Sequence, residues 1–365
     1  MHILFLTKRY YSAHDLINDH YGRLYEIPLY LAKQGHQVDL VCHSYRKGSP
    51  VSSEKITNLD LSSRDLGLYP PYGFWTHYQW LKDAVGKSRP DIIVAASDCY
   101  QVIIGAAVAR HYSLPFIADL YDNFLAFKAS HIPGIPTLFA RALKSADAVT
   151  AVSRNLCQLL GRSLDPSKVY LLENAVSSPF LSGYDRQSIR HRYNFANGNL
   201  YIGTAGDLRP GKGIDKLITA FMGLVQDNPH LHLVLAGPRD NSLYIPASPN
   251  IHYLGQLPHG DIPAFLSALD LGVVCIRDDD FGRYCFPQKF CEMVACGIPV
   301  VVSAVGEMLH QLAEYPDMMF NADDAEDMQR AIGHQLQYRV TLPLKVPGWQ
   351  QQAEKFGQIL QTIRY

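Results

Sequence analysis

The sequence has 365 residues, 33 basic and 34 acidic side chains and a formal net charge of −1, with 47% apolar and 18% charged residues. At roughly 100–200 residues per domain this length points to two domains, the composition excludes a disordered chain, and near neutrality leaves no general footprint for nucleic acid. The opening MHILFLTKRYY holds too short an apolar stretch for a secretory signal. No uncharged apolar run reaches the roughly 18 residues of a membrane span; the richest region, 92–109, is interrupted by Asp98. Seven cysteines without a CxxC pair fit reduced, buried thiols better than disulfides or a zinc site. A cytoplasmic protein is expected.

Apolar runs of strand length alternate with helical patterns along the chain. In the first half, strands are expected at His2–Thr7, Gln37–His43, Asp91–Ser97, Pro115–Tyr121, Asp147–Ser153 and Val169–Ala175. Helical stretches lie near Arg23–Gln34, His77–Lys87, Tyr100–Tyr112, Thr137–Ser145 and Ser153–Arg162. Continuous rather than alternating apolar strands imply a parallel sheet covered on both faces. A polar segment, 177–199, has no strand signal and reads as a linker. The pattern then restarts with strands at Leu200–Ala205, Leu231–Ala236, Ile251–Leu254, Leu271–Ile276 and Pro299–Ala304. The helix Gly213–Gln226 lines up Ile214, Leu217, Ile218, Phe221, Leu224 and Val225 on one face, as for a helix packed on a sheet. A last amphipathic helix, Trp349–Ile363, follows Pro347 and Gly348 and is compatible with docking on either half. The expectation is an α/β protein of two doubly wound, Rossmann-like parallel-sheet domains: 1–178, 179–345, and a terminal helix at 346–365.

Two segments carry chemistry. Thr204-Ala-Gly206-Asp-Leu-Arg209-Pro-Gly211-Lys212-Gly213 leaves a strand and enters a helix. Backbone N–H groups at a helix N-terminus attract phosphate, and glycine lets a ligand approach the backbone. The run is nearly a P-loop, but that motif needs Ser or Thr after the lysine to hold Mg²⁺, and Gly213 stands there. The second segment runs from Phe286 to Val301. Pro287 suits a helix start, Gly297 its end and Pro299 the stop beyond. Lys289 and Glu292, three apart, share one face. A lysine in the first turn opposes the helix dipole and makes sense where an anion binds, and Glu292 is placed to accept from a ribose diol. A local Lys–Glu pair, contributing about 0.2–0.5 kcal/mol, is the plainer alternative.

These residues resemble the GT-B glycosyltransferases, in particular glycosyltransferase family 4. Gly22-Arg23 at the first helix, Gln34-Gly35-His36-Gln37-Val38, Ala151-Val152-Ser153 and Leu172-Glu173-Asn174-Ala175-Val176 are similar to the family's N-terminal landmarks. Gly206–Gly213 resembles its G-x-L-x-x-x-K-G loop and Ala236-Gly237-Pro238 its xAGxG turn. Pro287-x-Lys289-x-x-Glu292-x-x-Ala295-x-Gly297-x-Pro299-Val300 resembles its donor segment, and the Trp349 helix its closing helix. The resemblance implies a retaining, metal-independent transferase with two domains facing across a cleft. The donor, a nucleoside-diphosphate sugar, would lie on the C-terminal domain and a glycan or lipid-linked glycan acceptor on the N-terminal one. It implies Lys212 on the diphosphate with Lys289 or Arg209 assisting, Glu292 on the ribose, and Gly213, Gly237 and Pro287 shaping the donor site. The helix starting near Gly22 would face the phosphates, and no cofactor beyond the donor is implied. The lysines would stabilise the departing diphosphate.

The chain departs from the family pattern in places. Where many relatives carry the first of two glutamates separated by seven residues, this chain has Tyr284, and Asp207 stands where an arginine is usual. An attacking hydroxyl needs a proton acceptor, and Asp119 and Asp122 are the candidates, either of which is alternatively a loop cap. Asp278-Asp279-Asp280 reads as a solvated loop at the cleft mouth, not a metal motif, with Phe281-Gly282 near the sugar. The aromatic-rich 69–82 stretch, followed by Lys82, Lys87 and Arg89, fits a helix packed on its own domain or a peripheral contact at the inner membrane face. The rivals are a non-catalytic subunit of the same fold, a sugar-nucleotide epimerase or hydrolase, and a P-loop-like NTPase.

Overall fold

A computed structural model describes the chain apart from residues 12–13, 47, 67–71 and 364–365. The chain divides into two compact units, Met1–Asn174 with Gly348–Tyr365, and Ala175–Pro347.

The first unit contains β1 (His2–Lys8), β2 (Tyr10–Tyr11), β3 (His14–Asp15), α1 (Leu16–Asp19), α2 (Arg23–Lys33), β4 (Gln37–Ser44), β5 (Ser52–Ile56) and β6 (Leu59–Asp65). There follow α3 (Tyr72–Ser88), β7 (Ile92–Ala96), α4 (Cys99–Tyr112), β8 (Phe116–Leu120), α5 (Ile135–Lys144), β9 (Ala148–Ala151), α6 (Arg154–Gly161) and β10 (Val169–Leu171). Its main sheet has the order β10-β9-β8-β7-β1-β4-β6-β5, parallel except for β5 against β6. β7 and β8 are buried at every position, which is why they read as unbroken apolar runs. The β5–β6 edge was not expected from the sequence. β6 buries only every other residue (Leu59, Leu61, Ser63) and β5 is largely exposed, so neither presents an apolar run.

The second unit contains α7 (Arg186–Arg192), β11 (Leu200–Ala205), α8 (Ile214–Asp227), β12 (Leu231–Ala236), β13 (Ile251–Tyr253), α9 (Ile262–Ala268) and β14 (Leu271–Val274). It continues with α10 (Gln288–Ala295), β15 (Val300–Ser303), α11 (Met308–Gln311), β16 (Met319–Phe320) and α12 (Ala325–Tyr338). The parallel sheet runs β13-β12-β11-β14-β15-β16. Ile214, Leu217, Ile218 and Phe221 of α8 pack into the core with Leu233, Leu271, Val301 and Phe320, as the helical spacing predicts. The polar 177–199 segment is not a bare linker. It folds into α7, where Arg186 and Arg190 grip the buried carboxylate of Asp270 at 2.6 and 2.5 Å.

The last helix, α13 (Trp349–Thr362), belongs to the first unit and packs along α2. Trp349 is buried, and Phe356 meets Phe5 of β1 with ring centroids 5.8 Å apart.

Candidate functional site

In the second unit β11 and β12 end side by side on glycines. Gly206 N–H donates to the Ala236 carbonyl at 2.9 Å. Gly237 has φ +136°, and a Cβ there would stand 1.9 Å from the Gly206 carbonyl oxygen, so neither its conformation nor its space admits a side chain. From Gly206 the chain passes Asp207 and Arg209, which form an ion pair, into a 3-10 turn over Pro210–Lys212. Gly213 then caps α8. Arg277 braces this turn: Nε and Nη2 donate to the Pro210 carbonyl at 3.0 and 2.7 Å, and Nη1 pairs with Asp323 at 2.6 Å.

α10 begins beside that turn, capped by Pro287, and closes on β14 because Gly272 leaves room for Met293. Lys289, in its first turn, brings Nζ within 3.6 Å of where a Cβ on Gly206 would sit, so the ammonium lies over bare backbone. Burial pulls the Lys289 pKa down, and the nearby charge of Lys212 adds to this. Against this, Cys275, Glu292 and Asp207 nearby act to raise it; the Cys275 thiol is itself pushed up to about 12 by burial. Lys212 places its ammonium 3.8 Å from the centre of the Phe281 ring, a cation–π contact. Among the described residues neither lysine is held in a salt bridge. Two like charges on one glycine turn, neither of them in a salt bridge, repel in the empty protein and are relieved by an anion.

One turn along α10, Glu292 is 8% exposed. Burial raises its pKa to about 7, opposed by a hydrogen bond from Gln288 and the charge of Lys289. The Gln288 amide also donates to the Ala175 carbonyl at 2.7 Å. The aspartate run shapes the loop that carries Phe281. Asp278 pairs with Arg283 at 2.6 Å, and Asp279 Oδ1 accepts from the Phe281 and Gly282 N–H groups at 3.0 and 2.7 Å. Tyr284 follows, half-buried.

In the first unit Gly22, with φ +69° and ψ −166°, stands at the start of α2 in a conformation that suits glycine. Arg23, next in the chain, is buried and donates from Nε and Nη2 to Asp119 at 3.0 and 2.6 Å, and from Nη1 to the Leu172 carbonyl at 2.6 Å. Asp119 Oδ1 also accepts from the Thr150 hydroxyl at 2.5 Å, and the residue is 3% exposed. Both carboxylate oxygens are thus engaged inside the unit, which argues against Asp119 as proton acceptor for a bound hydroxyl. The sequence reading saw the aspartate and missed the arginine that occupies it. The advance signal was a basic residue in the first turn of α2, where the helix dipole disfavours it. Asp122, two residues beyond β8, is half-buried, and the preceding Tyr121 is anchored by its hydroxyl on the Ser97 carbonyl at 2.9 Å.

The comparisons agree with this layout. Residues 23–178 match the family described as Glycosyltransferase Family 4, and residues 199–337 that described as Glycosyl transferases group 1. The chain belongs to these glycosyltransferases. Its fold is GT-B. Sucrose-phosphate synthase of Thermosynechococcus elongatus superposes with a TM-score of 0.79 at 17% identity, over 99% of this chain and 98% of that one. Anabaena HepE, solved in complex with UDP, gives 0.73 at 16% identity over the whole of both chains. The teichuronic acid biosynthesis glycosyltransferase TuaC of Bacillus subtilis is 24% identical over 246 residues, 67% of this chain. A D-inositol 3-phosphate glycosyltransferase of Stackebrandtia nassauensis is 28% identical over 182 residues, 46% of this chain. The alignments span 60% and 41% of those two relatives. Both halves of this glycosyltransferase therefore match by sequence, and the whole chain matches by fold.

Proposed function

We infer that this glycosyltransferase moves a sugar, with retention, from a nucleoside-diphosphate sugar to a hydroxyl of a glycan or lipid-linked glycan. The observation that carries the reading is the pair of lysines, Lys212 and Lys289, gathered on the Gly206–Gly213 turn and, among the described residues, held in no salt bridge. In the reaction the acceptor oxygen bonds to the anomeric carbon on the face that the diphosphate leaves, as the bond from that carbon to the diphosphate breaks, so the configuration is retained. The diphosphate leaves with the electron pair, and the hydroxyl proton passes to a base. Lys212 and Lys289, with Arg209 at the rim, stabilise the charge that builds on the leaving oxygens. Gly213, Gly237 and Pro287 hold the shape of the donor site. Gly22 presents the start of α2. Glu292 accepts from the ribose hydroxyls, and the bound diol in turn favours its ionised form. Asp122 takes the proton; Asp119 holds Arg23 instead.

HepE has been solved with UDP, so uracil is the first base to try. Titration calorimetry with UDP, GDP, ADP and ATP, each once with EDTA and once with Mg²⁺, tests the reading. Binding of one nucleoside diphosphate in EDTA is the expected result. Binding of none, or of ATP alone and only with Mg²⁺, overturns it.

A further inference from the structure

We propose that an exposed face of the first unit, residues 125–144, docks on an anionic lipid bilayer. The inference stands apart from the donor reading, because neither lysine of the donor site takes part in it.

Between Asn123 and Ala146 the chain carries Lys128, Arg141 and Lys144 and no acidic residue. The same stretch exposes Leu125, Phe127, Ile132 and Leu138, with Ile132 at 50% and Phe127 at 44%. These side chains are held outward by a well-anchored backbone. Phe124 is buried against Tyr121 and Phe139, with ring centroids 5.3 and 6.3 Å apart. The buried Ser130 hydroxyl donates to the Leu125 and Phe127 carbonyls at 3.1 and 2.6 Å. Tyr100 of α4 donates to the Ala129 carbonyl at 2.5 Å. The segment leads directly into α5, which buries Phe139, Ala142 and Leu143. Leu138, Arg141 and Lys144 recur at threefold spacing on the opposite side, all exposed.

Several large apolar groups kept in water by a fixed scaffold mark an interaction surface. Its charge decides the partner. Basic residues interleaved with apolar ones, held in no salt bridge among the described residues and with acid only at the flanks, Asp122 and Asp147, match a bilayer, whose headgroups take the cations while the acyl boundary takes Leu, Ile and Phe. The aromatic-rich stretch singled out in the sequence is not this face. Its first residues, 69–71, lie outside the described structure, and of those that follow His77 is buried while Trp75 is exposed.

The test is vesicle flotation with the full chain. It compares phosphatidylcholine vesicles with vesicles containing one third phosphatidylglycerol, at low and high salt. Partition onto the anionic vesicles alone, weakened by salt, is expected. The Lys128→Glu/Arg141→Glu/Lys144→Glu variant, which alters no packed side chain, should lower it about 100-fold or more. Phe127→Ser/Ile132→Ser/Leu138→Ser should lower it by roughly 10-fold or more. Both variants should unfold in urea at the same midpoint as the unaltered chain. Failure of the unaltered chain to bind anionic vesicles overturns the proposal, as does binding that survives charge reversal. Self-association abolished by the apolar variant, with no vesicle binding, also overturns it and makes the face a contact between copies.

Discussion

Each unit brings strong charges to the carboxyl end of its parallel sheet, and the two arrangements differ in what surrounds the charge. In the first unit Arg23 and Asp119 face each other through two hydrogen bonds, with Thr150 and the Leu172 carbonyl taking further positions. Every polar group has a partner within the protein, so the cluster ties α2, β8, β9 and the end of the unit together. In the second unit Lys212 and Lys289 share a glycine turn beside the Phe281 ring, with Glu292 and Asp207 near enough to act on Lys289 but, among the described residues, with neither lysine closed into a salt bridge. A closed pair of this kind is architecture, because breaking it leaves a buried charge. An open pair of like charges is a binding site, because it is at its least stable when empty.

Substitutions should separate the two. Asp119→Asn leaves Arg23 buried without its counter-charge and should lower unfolding stability by about 3–5 kcal/mol, measured by urea denaturation. A loss below about 1 kcal/mol, the scale of an exposed pair, would mean the cluster is not closed. Asp122→Asn should cut turnover by roughly 10²–10⁴-fold, the usual contribution of a positioned base, and keep donor affinity. If Asp119→Asn loses turnover per folded molecule while Asp122→Asn does not, the assignment of the base is reversed.

These two carboxylates show how far the sequence could be read. The parallel strands β1, β4, β7, β8, β11, β12, β14 and β15 are apolar runs, and their buried positions leave little choice of fold. The donor segment was legible because Pro287, Lys289, Glu292 and Gly297 have fixed helical spacing. Asp119 was not legible, because its partner Arg23 lies 96 residues away and nothing local announces that pairing. The β5–β6 edge was hidden for the same reason that edges are often polar. The polar α7 drew its order from Asp270, 84 residues beyond Arg186.

Smaller effects sharpen the contrast. Lys289→Met removes a partly desolvated charge and its repulsion with Lys212, so the ligand-free protein should hold or gain up to about 1–2 kcal/mol, as at other sites where function opposes stability. A clear loss would show that Lys289 braces the fold. Glu292 supplies a pH test. Its carboxyl, raised to about 7 when the site is empty, binds more protons folded than unfolded. Its contribution to stability is therefore present below the unfolded value and is lost as pH rises through about 7. Nucleotide binding that prefers the carboxylate should tighten over the same rise, by about 10-fold between pH 6 and 8. Glu292→Gln should flatten that slope in calorimetric titrations, and an unchanged slope would remove Glu292 from the ribose.

The central claim is that the open cation pair of the second unit holds the donor diphosphate. Calorimetric titration of UDP into the unaltered chain, Lys289→Met and Lys212→Met tests it most directly. Each substitution should weaken binding by about 10–100-fold, the scale of a lost charge-assisted hydrogen bond, with the protein still folded. Equal affinity in all three would contradict the account.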